Sequence, residues 1–271
     1  HGTIVHIDID NSEINKNKDV KLPILANIKE ALARLNELLE KGGSKARVSG
    51  HDQFLDWYEK IAGWKKDFPL GYQDPDPKLI PPQYPLEQLY DLTKGDLIVT
   101  TGVGQHQMWA AQHIQPREPQ NFITSAGLGT MGFGLPAAMG VKLAFPKQEV
   151  VCVTGEGSIQ MCIQELSTCL QYNLPIKIIN INNEALGMVR QWQDMNYGGR
   201  HSASTYSDSL PDFVKLAQSY GHVGMKVTKQ SQLKKTLDKA FAMKDRLVFI
   251  DVYVDPNEHV YPMLVSPNGS M

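Results

Sequence analysis

EVVCVTGEGSIQ (Glu149–Gln160) is the stretch from which the fold can be read. Its first half, EVVCVT, is an apolar, β-branched run without polar alternation. Such a run reads as a strand covered on both faces, which is the condition of strands in a parallel sheet. GEGS follows at residues 155–158, and helical spacing takes over from about 159 to 171. A strand, a glycine-rich turn and a helix in that order make a crossover unit.

The same unit repeats on either side. Strands are expected at 96–100 (DLIVT), 121–125, 176–181 (IKIINI) and 247–254 (LVFIDVYV). Helices are expected at 85–93, 106–113, 133–144, near 185–193, near 210–219 and at 230–243. The expected fold is therefore α/β, a doubly wound parallel sheet of six strands from about residue 85 onward, with helices on both faces. Ahead of it, TIVHIDI (residues 3–9) reads as a buried strand and Asn27 as the cap of a helix over 28–41, ended by Gly42 and Gly43. A second, aromatic-rich helix is expected at 52–66. Pro69, Pro75, Pro77, Pro81, Pro82 and Pro85 punctuate the chain around 67–84, as in a linker. The division expected is 1–45 as the end of a middle α/β domain, 46–84 as helix and linker, and 85–271 as the main domain. A core strand starting beside His1 suggests a fragment with an N-terminal portion missing.

The 271 residues carry a formal charge of −2, with 42% hydrophobic and 21% charged side chains. That balance is ordinary for a globular protein and points to no nucleic acid partner. No apolar run approaches the roughly 18 residues of a membrane span. Cys152, Cys162 and Cys169 form neither a CxxC pair nor an even set, so they read as buried small hydrophobes.

Ligands of such sheets bind beyond the carboxyl ends of the strands. Four successive strand ends carry Gly-rich or Asn-rich turns: TGVGQHQ (Thr101–Gln107), AGLGTMGFG (Ala126–Gly134), GEGS (Gly155–Ser158) and NNEALGM (Asn182–Met188). Gly127, Gly129 and Gly132 satisfy the dinucleotide spacing G-x-G-x-x-G, but the acidic residue that should end the next strand is missing, since Glu149 begins it instead. GEGS followed by an Asn pair is the stronger signal. A helix start after Gly157 offers backbone N–H groups to a diphosphate, while Glu156 and an Asn amide oxygen can share one hard cation. A single Asn there would read as a turn or a cap; two closing a buried strand read as ligands.

The GEGS…NN pair is similar to the GDG…NN signature of thiamine-diphosphate enzymes. TGVGQHQMWAAQ, GLGTMGFGLPAAMG, GSIQMCIQELSTCLQYNLP, NNEALGMVRQWQDM and EHVYPM closely resemble the acetolactate synthase (acetohydroxyacid synthase) catalytic large subunit, C-terminal part. IVHIDIDNSEINKNK (Ile4–Lys18) resembles the end of that family's FAD-carrying middle domain.

The resemblance implies thiamine diphosphate and Mg2+ as cofactors, with FAD in the full-length family. It implies decarboxylation of pyruvate and joining of its two-carbon unit to a second 2-ketoacid, in branched-chain amino acid biosynthesis. Val103, Gly104, Gln105 and His106 would border the diphosphate, and Gly129 and Thr130 the aminopyrimidine. Met131 would be the wedge that bends the cofactor. Glu156, Asn183 and the Ala185 carbonyl would hold the metal, and Gly157, Ser158, Gly187 and Met188 would complete the wall. Trp192 would line the substrate channel, while Asp8 and Ile9 match FAD contacts. A homodimer or homotetramer with shared active sites, a small regulatory subunit and a cytoplasmic location are implied too. Glu156 departs from the family's aspartate, adding a methylene to a crowded octahedral site, so weaker magnesium binding is expected. Ala26–Asn27 departs from a Gly and an acidic FAD contact. No residue matches the family's proton-relay glutamate, so the isolated chain is expected to be inactive. Two further classes stand beside this reading: a pyruvate oxidase or decarboxylase type of thiamine enzyme, and a non-catalytic fragment.

Overall fold

The computed structural model describes residues 2–46, 54–72, 76, 78–206 and 209–263. The chain divides into two compact units, His1–Pro69 and Leu70–Met271. Parts of the expected linker, at 47–53, 73–75 and 77, lie outside the described residues, as do the first residues of the helix expected at 52–66.

In the first unit, β1 (Val5–Asp8) pairs in parallel with β2 (Leu22–Leu25), which the sequence reading did not foresee. Two strands cannot cover each other. β1 is accordingly not the buried strand expected: Val5 is 50% exposed. α1 (Ile28–Ala46) begins where Asn27 accepts the Lys29 N–H at 2.9 Å. It does not stop at Gly42 and Gly43 but runs through both, because glycine costs a helix only about 1 kcal/mol per residue. α2 spans Leu55–Asp67.

The second unit holds a six-stranded sheet, parallel throughout, in the order β4-β3-β5-β6-β8-β7. Its strands are β3 (Ile98–Thr101), β4 (Phe122–Ile123), β5 (Val150–Thr154), β6 (Lys177–Asn182), β7 (Val223–Val227) and β8 (Val248–Tyr253). Successive side chains along a strand point to opposite faces, and here both faces are apolar. Val151, Val153, Ile179, Ile181 and Ile250 pack beneath α3 (Tyr84–Thr93), α4 (Gln105–His113) and α10 (Gln230–Ala242). Val150, Cys152, Ile178 and Phe249 pack beneath α5 (Gly134–Ala144), α7 (Glu165–Gln171) and α9 (Phe213–Ser219). Phe213 stacks on Phe249 with ring centres 5.8 Å apart. The fold is the doubly wound α/β sheet, and Cys152, Cys162 and Cys169 are buried in it as small hydrophobes.

Three local expectations need correction. The helix expected at 159–171 is two: α6 (Glu156–Gln160) and α7, because Ser158 and Cys162 tie the first turn to Gly132. β4 is only two residues long. The sixth strand, β7, was not located, because VGMKV carries Gly224 and Lys226 and lies at an edge, where an unbroken apolar run is not required. Among the described residues no helix is long and apolar enough to cross a membrane.

Candidate active site

From β3 the chain steps to β4 on one side, then returns to β5 on the other. That reversal opens a crevice beyond the ends of β3 and β5, where ligands of doubly wound sheets bind. A cleft of about 100 Å3 lies there. Three of the four turns singled out above reach it through Val103, Gly104, Gln105, His106, Gly157, Ser158, Gly187 and Met188, joined by Met131 from the second turn. Ser158 knits the turns together: its Oγ accepts the N–H groups of Val103 at 3.1 Å and Gly132 at 3.0 Å.

Glu156 opens α6 and is 1% exposed. Burial pushes its carboxyl up to about 8, with Asp251 adding to the rise and backbone hydrogen bonds opposing it. Its Oε1 accepts the Ala185 N–H at 2.7 Å. Glu156 is the first residue of the helix, two positions ahead of the start expected after Gly157. Asn183 Oδ1 lies 3.0 Å from Glu156 Oε1 and 3.1 Å from the Ala185 carbonyl oxygen. Asn183 Oδ1 thus faces two other oxygens with no amide N–H between them, and a cation placed there would favour the ionised form of Glu156 over the protonated one that burial favours. The Asn183 Nδ2 on the other side donates to Gln105 Oε1 at 2.9 Å. In a magnesium octahedron with ligands at about 2.1 Å, adjacent oxygens are about 3 Å apart. The donor set is hard, one carboxylate and two carbonyl-type oxygens, and it fits such a cation. Among the described residues no cluster of three His, Cys, Asp or Glu side chains forms a metal site, so amide and backbone oxygens would have to take part.

Other expected site residues sit differently. Gln105 and His106 line the cleft but are only 4% and 7% exposed. The Gln105 amide is committed to Asn183 and Gln191. Burial holds the His106 imidazole down at about 3, and a backbone contact at Gly102 works the other way. Gly129, at φ +65°, and Thr130 belong to an exposed turn and do not line the cleft. Trp192, on α8 (Gly187–Tyr197), is half-buried and also lies outside the cleft lining, since the helix turns Gln191 and Met188 inward instead. Asp8 and Ile9 belong to the first unit, and Ile9 is 72% exposed.

Sequence reasoning missed several contributors. Trp109, buried on α4, and Leu186 line the cleft. Tyr206 comes from a segment whose residues 204–206 run along 184–186, through Leu186 N–H to Ser204 and Tyr206 N–H to Glu184. A Cβ on Gly157 would fall 2.5 Å from the Tyr206 hydroxyl and 2.7 Å from Leu186, so a larger residue there would have to displace both side-chain ends. Burial raises the Tyr206 phenol, and the nearby Glu156 adds to the rise. No motif in the sequence flags Tyr206.

The family described as "Thiamine pyrophosphate enzyme, C-terminal TPP binding domain" matches residues 102–252, more than half of the chain. The chain belongs to that family. Among curated proteins it is similar to the acetolactate synthase isozyme 3 large subunit of Escherichia coli (strain K12), 49% identical over 99% of this chain and 46% of that protein. It is 51% identical to the acetolactate synthase large subunit of Haemophilus influenzae, over 98% of this chain and 45% of the relative. It is 39% identical to an acetolactate synthase of Mycobacterium bovis, over 97% of this chain and 42% of the relative. The chain therefore spans just under half the length of these relatives.

Proposed function

We propose that the chain provides the diphosphate-and-metal half of a thiamine-diphosphate site in an acetolactate synthase. The observation that carries the reading is the meeting of Glu156 Oε1, Asn183 Oδ1 and the Ala185 carbonyl at the edge of the cleft. Those oxygens would hold Mg2+, and the cation would draw the diphosphate against the Gly155–Ser158 turn. When bound, the cofactor supplies the carbanion chemistry that removes carbon dioxide from pyruvate and joins the remainder to a second 2-ketoacid. The protein's own part is to bind, orient and exclude water. Met131 stands over the cleft, its methyl 3.4 Å from where a Gly157 Cβ would lie, and is suited to bending a ligand. Leu186, Met188 and Val189 supply apolar walls that keep the site dry.

The substrates are inferred from the relatives, whose likeness runs along nearly the whole chain. The same likeness argues against a pyruvate oxidase or decarboxylase. A non-catalytic chain is favoured by one feature, Glu156 in place of aspartate, and opposed by the reach of that side chain to Asn183 Oδ1. A cytoplasmic location, an oligomer with shared sites and a small regulatory subunit complete the proposal. The last is prompted by relatives named large subunits.

The test is a chimera. Joined to the N-terminal portion of the Escherichia coli relative, the chain should restore acetolactate formation from pyruvate, whereas the chain alone should form none. A chimera that folds and binds cofactor yet yields no acetolactate would contradict the substrate assignment. Turnover by the isolated chain would contradict the half-site reading.

A further inference from the structure

The three facing oxygens raise a question of orientation. An Asn amide can turn over, and turned over it would donate to both Glu156 Oε1 and the Ala185 carbonyl, with no cation needed. What opposes that turn is a chain of amides reaching back to the main chain. The Val260 N–H donates to Gln191 Oε1 at 2.9 Å, and Gln191 Nε2 donates to the Val260 carbonyl at 3.0 Å. A backbone N–H can only donate and a carbonyl can only accept, so Gln191 has one orientation. Its Oε1 then requires a donor from Gln105, whose Nε2 stands 2.8 Å away. That leaves Gln105 Oε1 facing Asn183, where Nδ2 donates to it at 2.9 Å. Asn183 Oδ1 is thereby turned toward Glu156 and Ala185. Gln105, Asn183, Gln191 and Val260 are all buried, so no bulk water is at hand to relax the sequence of bonds. Reversing one amide would set two like groups together at the next.

We propose that Gln191 and Gln105 form a positioning relay, anchored on the Val260 backbone, that presents the Asn183 carbonyl oxygen to a divalent cation. The relay rests on the metal site proposed above and goes beyond it. It assigns a task to Gln191, which the sequence reading passed over, and to the segment around Val260, 69 residues further along the chain. It also explains Gly187. A Cβ there would press on the Gln105 side chain and lie 2.6 Å from Asn183 Nδ2, so any larger residue would cut across the relay. Gln105 is then chiefly a residue that orients a metal ligand, and its amide is not free to hold diphosphate.

The experiment is Mn2+ titration of the full chain with thiamine diphosphate present, read by loss of the free-ion electron paramagnetic resonance signal. Gln191→Leu should weaken Mn2+ at least roughly tenfold, the scale on which groups behind a ligand act. In the Asn183→Ala background, Gln191→Leu should cost nothing further, which a merely structural role would not produce. Asn183→Asp is nearly isosteric and covers the case in which Gln191→Leu fails to fold. Its added charge alone would tighten a cation, but its second oxygen would face Gln105 Oε1, so Mn2+ should weaken. Wild-type Mn2+ affinity in Gln191→Leu, an equal further loss in the Asn183→Ala background, or tighter binding by Asn183→Asp would each overturn the relay while leaving the metal site intact. Failure of the wild-type chain to bind Mn2+ would overturn both.

Discussion

Glu156 is the residue at which the chain departs from its family's signature, and its surroundings set what the departure costs. Read in the sequence, the longer side chain looks like damage to a metal site. In the fold, Oε1 both accepts the Ala185 N–H and faces Asn183 Oδ1, which supports the proposal of a metal site that uses the longer reach. Glu156→Asp would withdraw the carboxylate by more than 1 Å in a site that is about fully buried, and it is expected to weaken Mg2+ roughly tenfold. Cation titration by calorimetry checks this, and unchanged or tighter binding would return Glu156 to the status of a tolerated defect. His106 provides a pH dependence. Its imidazole is held down at about 3 by burial, against an ordinary value of 6.5. The unfolded chain therefore takes up a proton below about 6.5 that the folded chain excludes until about 3. Stability is full above 6.5 and is lost as the pH falls through that window, by up to about 1.4 kcal/mol per pH unit. His106→Asn removes this loss. Between pH 7 and pH 5, urea denaturation should show the wild type losing about 2 kcal/mol more than the variant; equal losses would mean that His106 charges freely in the fold.

At the scale of elements, β6 and β8 are joined by more than their ladder. Asp251 on β8 accepts from Asn180 at 2.8 Å and Asn182 at 3.1 Å, both on β6, in the buried sheet. Asp251→Ala leaves two buried amides short of an acceptor and is expected to cost about 2–4 kcal/mol, visible as a lowered urea midpoint. A loss below about 0.5 kcal/mol would show that the Asn side chains find other partners. This trio also shows what the sequence could and could not tell. The apolar run around Asn180 fixes a doubly covered strand, because the backbone allows few other fates for six such residues. Nothing in it says which strand lies beside it, or that Asp251 follows at its flank. β7 was missed for a similar reason, since an edge strand is covered on fewer sides and needs no unbroken apolar run. The helix expected over 159–171 breaks because its first turn answers to Gly132 across the site, a tertiary bond with no local signature.

For the whole molecule, the site was legible to the extent that it is made by strand ends. Glycine-rich and Asn-rich turns after successive strands had to gather on one edge of a parallel sheet, and Val103, Glu156, Gly157, Ser158, Asn183, Gly187 and Met188 do lie about one cleft. Residues brought by irregular segments were not legible. Tyr206 and Val260 reach the neighbourhood through loops whose course only the folded chain defines, and Trp192 sits one position from Gln191 on α8, close in sequence but turned to another side of the helix. In the proposed function a divalent cation and a diphosphate would bind together, since neither the Gly155–Ser158 turn nor the three oxygens would hold its partner well alone. The most direct measurement is a calorimetric titration of thiamine diphosphate into the chain, made with Mg2+, with EDTA, and with Mg2+ on Asn183→Ala. Binding should be full for the wild type with Mg2+, absent in EDTA and strongly weakened in Asn183→Ala. Equal binding in EDTA, or undiminished binding by Asn183→Ala, would contradict the assignment of Glu156, Asn183 and Ala185 as the metal site.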